Sequence, residues 1–171
     1  MSRLTALKAA ALVRDAGGRV VGRTRLQKIA YLLTATGLES GVSFSYKHYG
    51  PYSEELANAT READLMGLIS ETEQQASWGG TYSTYTLQKN LGQDAVPVRQ
   101  ELAALAASAD AIELELAATA LFLAKEGHSS PWAETARRKP EKASGGRLEK
   151  AQALYGQLSK VKTPSAWPRI D

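Results

Sequence analysis

Two stretches of the chain hold residues whose types and spacing could do chemistry. The first, Gly17-Gly18-Arg19-Val20-Val21-Gly22-Arg23-Thr24, nearly matches the phosphate-loop pattern G-x-x-x-x-G-K-[ST]. That loop needs a strand before it, so that backbone amides fan onto phosphate at a helix N-terminus. Here a helix-like pattern precedes the glycines, Arg23 replaces the lysine, and no later strand supplies a magnesium-binding Asp. The expectation is a glycine-rich turn between helices. The second stretch is a cationic cluster. Arg19, Arg23, Arg25 and Lys28 follow one another with no acid between Asp15 and Glu39. Such a cluster can contact phosphates. A solvated helix face is the even alternative, since short basic runs are common.

The remaining candidates are weaker. His48 and His128 lack H-x-x-x-H spacing, so a metal site is not expected. His48 is read as a structural hydrogen-bonding residue that orients its loop. No serine sits in a nucleophile elbow, and the carboxylates scatter over helix faces. No catalytic constellation emerges, and no cofactor is expected. Trp78 falls in a turn-forming segment with Tyr82 and Tyr85 nearby. Aromatics exposed there would stack on bases or fill a partner's pocket; packed down on the helices, they would be core.

These residues need elements to position them. Leu4, Leu7 and Ala11 recur at helical spacing until Gly17-Gly18 stops the pattern. Val20-Val21 suits a short extended piece. Thr24 is a plausible N-cap for a second helix, whose stripe is Leu26, Ile29, Ala30 and Leu33. Residues 44–49 are extended in character, and Gly50-Pro51 reads as a break. Ser53 caps a third helix, with Glu54 and Glu55 suited to its dipole and Leu56, Ala59, Ala63 and Met66 as its apolar face. Residues 68–74 and 81–87 read as a β-hairpin around the turn at 76–80. Three helices and a hairpin in this order describe a winged helix-turn-helix.

The predicted fold class is therefore mainly α with a small antiparallel hairpin. A winged helix-turn-helix domain covers 1–90, and a helical extension over 91–171 packs on it. In the extension, 109–126 is apolar on most sides and should be buried. A short helix begins at Trp132, 137–146 reads as a loop, and Leu148, Ala151, Leu154 and Leu158 mark the last helix. The tail from Thr163 should be irregular.

The 171 residues carry a formal net charge of only +3, so any nucleic-acid site must be a local patch. The third helix holds Glu54, Glu55, Glu62 and Asp64 against Arg61 alone, which speaks against simple groove reading. There are no cysteines, no signal-peptide pattern and no apolar run long enough to span a bilayer. A cytoplasmic protein without membrane association is expected.

The segments GRTRLQKIAYLL (22–33), FSYKHYGPYSEELA (44–57), GLI (67–69) and GGTYSTYTL (79–87) together resemble the YwgA-type winged-helix family of bacterial and phage-associated proteins. That family is similar in turn to the Panacea (SocA-like) antitoxin domain. The resemblance covers residues 4–87, about half the chain. It implies a winged-helix fold, no enzymatic activity, and either DNA binding or neutralisation of a toxin by protein contact. The matching motif positions are Leu26, Gln27, Lys28, Tyr31, His48, Tyr49, Gly50, Pro51, Tyr52 and Ser53. Most would fix the junction of the second and third helices, with Gln27 and Lys28 left for outward contact. The leading expectation is a regulatory nucleic-acid-binding module contacting its target through Arg19, Arg23, Arg25, Gln27, Lys28, Trp78 and Tyr82. The alternative is an antitoxin-like or adaptor module that binds a protein, a toxin among the candidates. A homodimer stays open in either case.

Overall fold

The structure is a computed structural model that describes residues 5–92 and 96–171. Helix α1 (Ala6–Asp15) starts at Thr5, whose side chain accepts from the Lys8 amide. Its buried face is Ala6, Ala9, Ala10, Leu12 and Val13. Leu7, which the sequence placed on the apolar stripe, is 45% exposed, and Leu4 lies outside the described residues. The reason is partner geometry: α1 packs on three further helices, and its buried face is mostly alanine with Leu12 and Val13.

The Gly17-Gly18 turn closes α1. The Gly18 amide donates to Val13 O at 2.8 Å and the Gly17 amide to Arg14 O at 3.0 Å. Both glycines have positive φ, which suits this ending. Their amides are thus engaged, as is that of Gly22, which donates to Ser83 O at 2.7 Å. No phosphate cradle forms. Strand β1 (Arg19–Val21) runs straight into α2 (Arg23–Ala35). The N-cap of α2 is Gly22 at φ +103°, not Thr24. The β-ladder continues to Gly22, so the helix begins two residues earlier than a Thr24 cap would allow.

Residues 44–52 form more structure than expected. Strands β2 (Ser45–Lys47) and β3 (Gly50–Tyr52) make a small antiparallel hairpin, with Tyr46 opposite Pro51. Gly50 at φ +93° turns the chain into β3 rather than ending it. Helix α3 (Glu54–Leu65) follows, with Ser53 Oγ accepting from the Leu56 amide at 3.2 Å and Glu54 and Glu55 in its first turn. Leu56, Ala59 and Ala63 are buried, but Met66 is not; it sits past the helix end and is 59% exposed.

Strands β4 (Ile69–Gln75) and β5 (Thr81–Leu87) form the expected hairpin, and β1 adds to its other side through Arg19↔Thr86 and Val21↔Thr84. The sheet order is β1-β5-β4. The second half is helical: α4 (Pro97–Ala107), α5 (Ala111–Lys125), α6 (Pro131–Arg138), α7 (Pro140–Ala143) and α8 (Arg147–Leu158). Helix α5 is central, as its composition indicates. Residues Leu114 to Leu121 are all buried, and α5 touches α2, β3, α6 and α8. The stretch 137–146 is not simply a loop; it holds the end of α6 and all of α7. From Thr163 onward the tail has no regular element, yet Trp167 docks on Tyr155 and donates to Val161 O at 3.1 Å.

One hydrophobic cluster joins the two halves, from Ala6 through Val161. A buried ion pair ties α4 to α1: Arg99 Nε donates to Asp15 Oδ2 at 2.6 Å, while its other nitrogens reach Leu38 O and Glu39. The architecture is mainly α with a three-stranded and a two-stranded antiparallel sheet among the described residues.

Candidate binding surface

Gln27 and Lys28 lie on α2 but do not reach outward. Gln27 Nε2 donates to Ser53 O at 3.0 Å, and Gln27 Oε1 accepts from the Ser53 amide at 2.8 Å. The side chain therefore mimics a strand neighbour for the residue that caps α3. Lys28 is 1% exposed, and its Nζ donates to Pro51 O at 2.7 Å. Both readings of outward contact are corrected. The carbonyls of the β3 segment need donors, and α2 supplies them from inside. The other motif residues divide, with His48 and Tyr49 exposed and the rest wholly or partly buried. Leu26 and Tyr31 are buried, with Tyr31 edge-on to Phe44; Ser53 caps α3; Tyr52 is half-buried.

A polar cluster sits behind this junction. Lys139 Nζ donates to Glu115 Oε2 at 3.0 Å and to His48 O at 2.9 Å, and Lys142 Nζ donates to both Glu115 oxygens. Burial pulls the Lys28 ammonium down to about 7, with Glu115 opposing that fall and Lys139 and Lys142 adding to it. The hydroxyl of buried Thr119 has no hydrogen-bond partner. It lies where a Cβ on Gly50 would come within 2.5 Å, so only glycine fits there. His48 holds its loop through its backbone carbonyl, while its ring is exposed. Tyr49 is exposed and carries Lys142 Nζ 4.5 Å above its ring.

The four cations of the basic run separate. Arg25 is structural: it donates to Val21 O at 3.0 Å and to Ala107 O at 3.1 Å, and also reaches Ala109 O, tying α2 to the end of α4. With Lys28 also inside, Arg19 and Arg23 are the two that face solvent. Arg23 makes an exposed contact of 3.3 Å to Glu71 Oε2, which also accepts from Ser83 Oγ at 2.7 Å.

Between the first turn of α2, the middle of α3, Tyr49 and Tyr52, and the face of the three-stranded sheet lies a cleft of about 660 Å³. Arg23, Arg25, Lys28 and Arg61 line it against one acid, Glu71. Trp78 and Tyr82 line it too. Trp78 is 74% exposed and lies across Gly80, where a Cβ would come within 1.6 Å of its ring. Tyr82 is half-buried, and Tyr85 is core, with burial pushing its hydroxyl up to about 12. Neither Glu71 nor Arg61 is marked by spacing as belonging here. The first needs the β4–β5 register, which sets it opposite Tyr85, and the second the packing of α3.

The outer side of α3 has a different character. Glu54, Glu55, Glu62 and Asp64 are all exposed, with Arg61 the cation beside them. Leu65, 86% exposed, and Met66 close the helix as an apolar end. Stripe spacing hid this pair, because Leu65 falls off the Leu56–Ala59–Ala63 face. Among the described residues no group of three or more His, Asp or Glu could hold a metal ion, and no helix is long and apolar enough to cross a membrane. No family model, curated protein or solved structure matches the chain. The resemblance to the YwgA-type family therefore rests on the motif residues themselves.

Proposed function

We propose that this chain is a non-enzymatic module of winged-helix type that binds a protein, as an antitoxin-like or adaptor component. The observation that carries the reading is the outward face of α3. In a winged helix-turn-helix, the helix before the β4–β5 hairpin is the one that would enter a DNA groove. Here it presents Glu54, Glu55, Glu62 and Asp64 together with bare Leu65 and Met66. Carboxylates repel a phosphate wall, whereas an apolar end ringed by charge suits a protein surface. The cations that favoured nucleic acid are reduced as well, since Arg25 and Lys28 are engaged inside.

The sheet order β1-β5-β4 supports the winged-helix assignment. So does the Gln27–Ser53 link, which joins α2 to α3 across the β2–β3 hairpin. The test is binding to mixed-sequence duplex DNA at two salt concentrations. Weak retention is expected at both. Submicromolar duplex affinity that falls steeply with salt, and falls further in Arg19→Gln/Arg23→Gln, would replace this reading with the nucleic-acid one.

A further inference from the structure

We propose that the cleft beside Trp78 receives an extended, acidic segment of the protein partner, one that also carries an aromatic side chain. The inference rests on the protein-binding reading and names which part of the partner the module holds. Charge complementarity sets the sign. Of the four cations that line the cleft, Arg25 and Lys28 are engaged inside, which leaves Arg23 and Arg61 against Glu71. Arg23 contacts that single acid only at 3.3 Å and through an exposed side chain, so an incoming carboxylate can take its place. Arg61 comes from α3, and its guanidinium donates to Asn58 of its own helix. Two guanidiniums carried by different helices suit carboxylates spaced along an extended chain.

The aromatics select the second feature. Trp78, Tyr82, Tyr52 and Tyr49 line the same cleft, and Trp78 lies at its edge rather than in the core. A ring inserted among them would be held by stacking and by burial. The volume of about 660 Å³ falls in the range that accommodates a few side chains rather than a folded domain. The outer face of α3 repels such a segment, so acidic chain is directed into the cleft and away from Leu65.

The experiment is selection of a displayed library of random dodecapeptides on the intact protein, followed by titration of the selected peptides through Trp78 fluorescence. Enrichment of Asp and Glu near Phe, Tyr or Trp is expected, with affinity at least tenfold weaker for Arg23→Gln/Arg61→Gln. Trp78→Phe should keep binding, read by the anisotropy of a labelled peptide, while removing most of the tryptophan fluorescence change. Enriched peptides that are basic, or that ignore the two arginine substitutions, overturn the proposal. So does the absence of enrichment, or tighter binding of a ten-residue oligothymidylate than of any peptide. Leu65→Ser/Met66→Ser separates the two readings. If it abolishes capture of a whole partner while selected acidic peptides neither bind nor compete, the protein-binding function stands and the cleft proposal fails.

Discussion

Lys28 makes the stability of this fold depend on pH in a way that a single substitution should remove. Its ammonium is ordinarily half-protonated near 10.5 but is brought to about 7 by burial in the fold. Between those values the unfolded chain holds a proton that the folded chain has released. Stability must therefore rise with pH across that window and be lowest below it. The full difference of 3.5 units corresponds to about 5 kcal/mol at about 1.4 kcal/mol per unit. Only part of it falls in a convenient range, and between pH 7 and 9 the gain is about 2 kcal/mol. Above that range Tyr85 and Tyr155, raised to about 12 by burial, act in the opposite direction and would obscure it. Lys28→Met keeps the length and removes the charge. It leaves Pro51 O without its donor, a loss of about 1–3 kcal/mol that does not vary with pH. Urea unfolding of both proteins at pH 6, 7, 8 and 9 provides the assay. The wild type should gain about 2 kcal/mol from pH 7 to 9 relative to the variant. Parallel profiles would refute the reasoning and place the Lys28 charge elsewhere.

Gly50→Ala should cost about 2–4 kcal/mol, because it combines a φ of +93° with a Cβ placed 2.5 Å from Thr119 Oγ1. Adding Thr119→Ala should restore the overlap part and leave about 1 kcal/mol of backbone strain; thermal melts of the single and double variants check this. Arg99→Ala should cost about 3 kcal/mol by leaving the Asp15 carboxylate, 2% exposed, without its closest partner, and denaturant unfolding measures the loss.

Much of the fold was legible because it follows from periodicity. The α2 stripe of Leu26, Ile29, Ala30 and Leu33, the apolar surround of α5 and the β4–β5 hairpin each arise from local spacing that burial then respects. The polar interior was not legible. Gln27 and Lys28 look solvated because charge on a helix usually is. What buries them is the carbonyls of Pro51 and Ser53, about two dozen residues away. Lys139 hides in what reads as a loop because its partner, Glu115, lies on α5, and the sequence shows no spacing that joins them. The surface divided similarly. Trp78 and Tyr82 line a cleft, whereas Arg25 is drawn inward by the carbonyls at the end of α4. The apolar end at Leu65 and Met66 becomes visible only once α3 has a buried face to contrast with it.

The central claim is that the α3 face binds a protein. The most direct measurement is affinity purification of the chain from its native cells, with and without nuclease, beside Leu65→Ser/Met66→Ser. The account predicts one stoichiometric protein partner that survives nuclease and is lost with the variant, while far-ultraviolet circular dichroism shows the variant still folded. Capture that disappears with nuclease, or a partner retained undiminished by the variant, would contradict it.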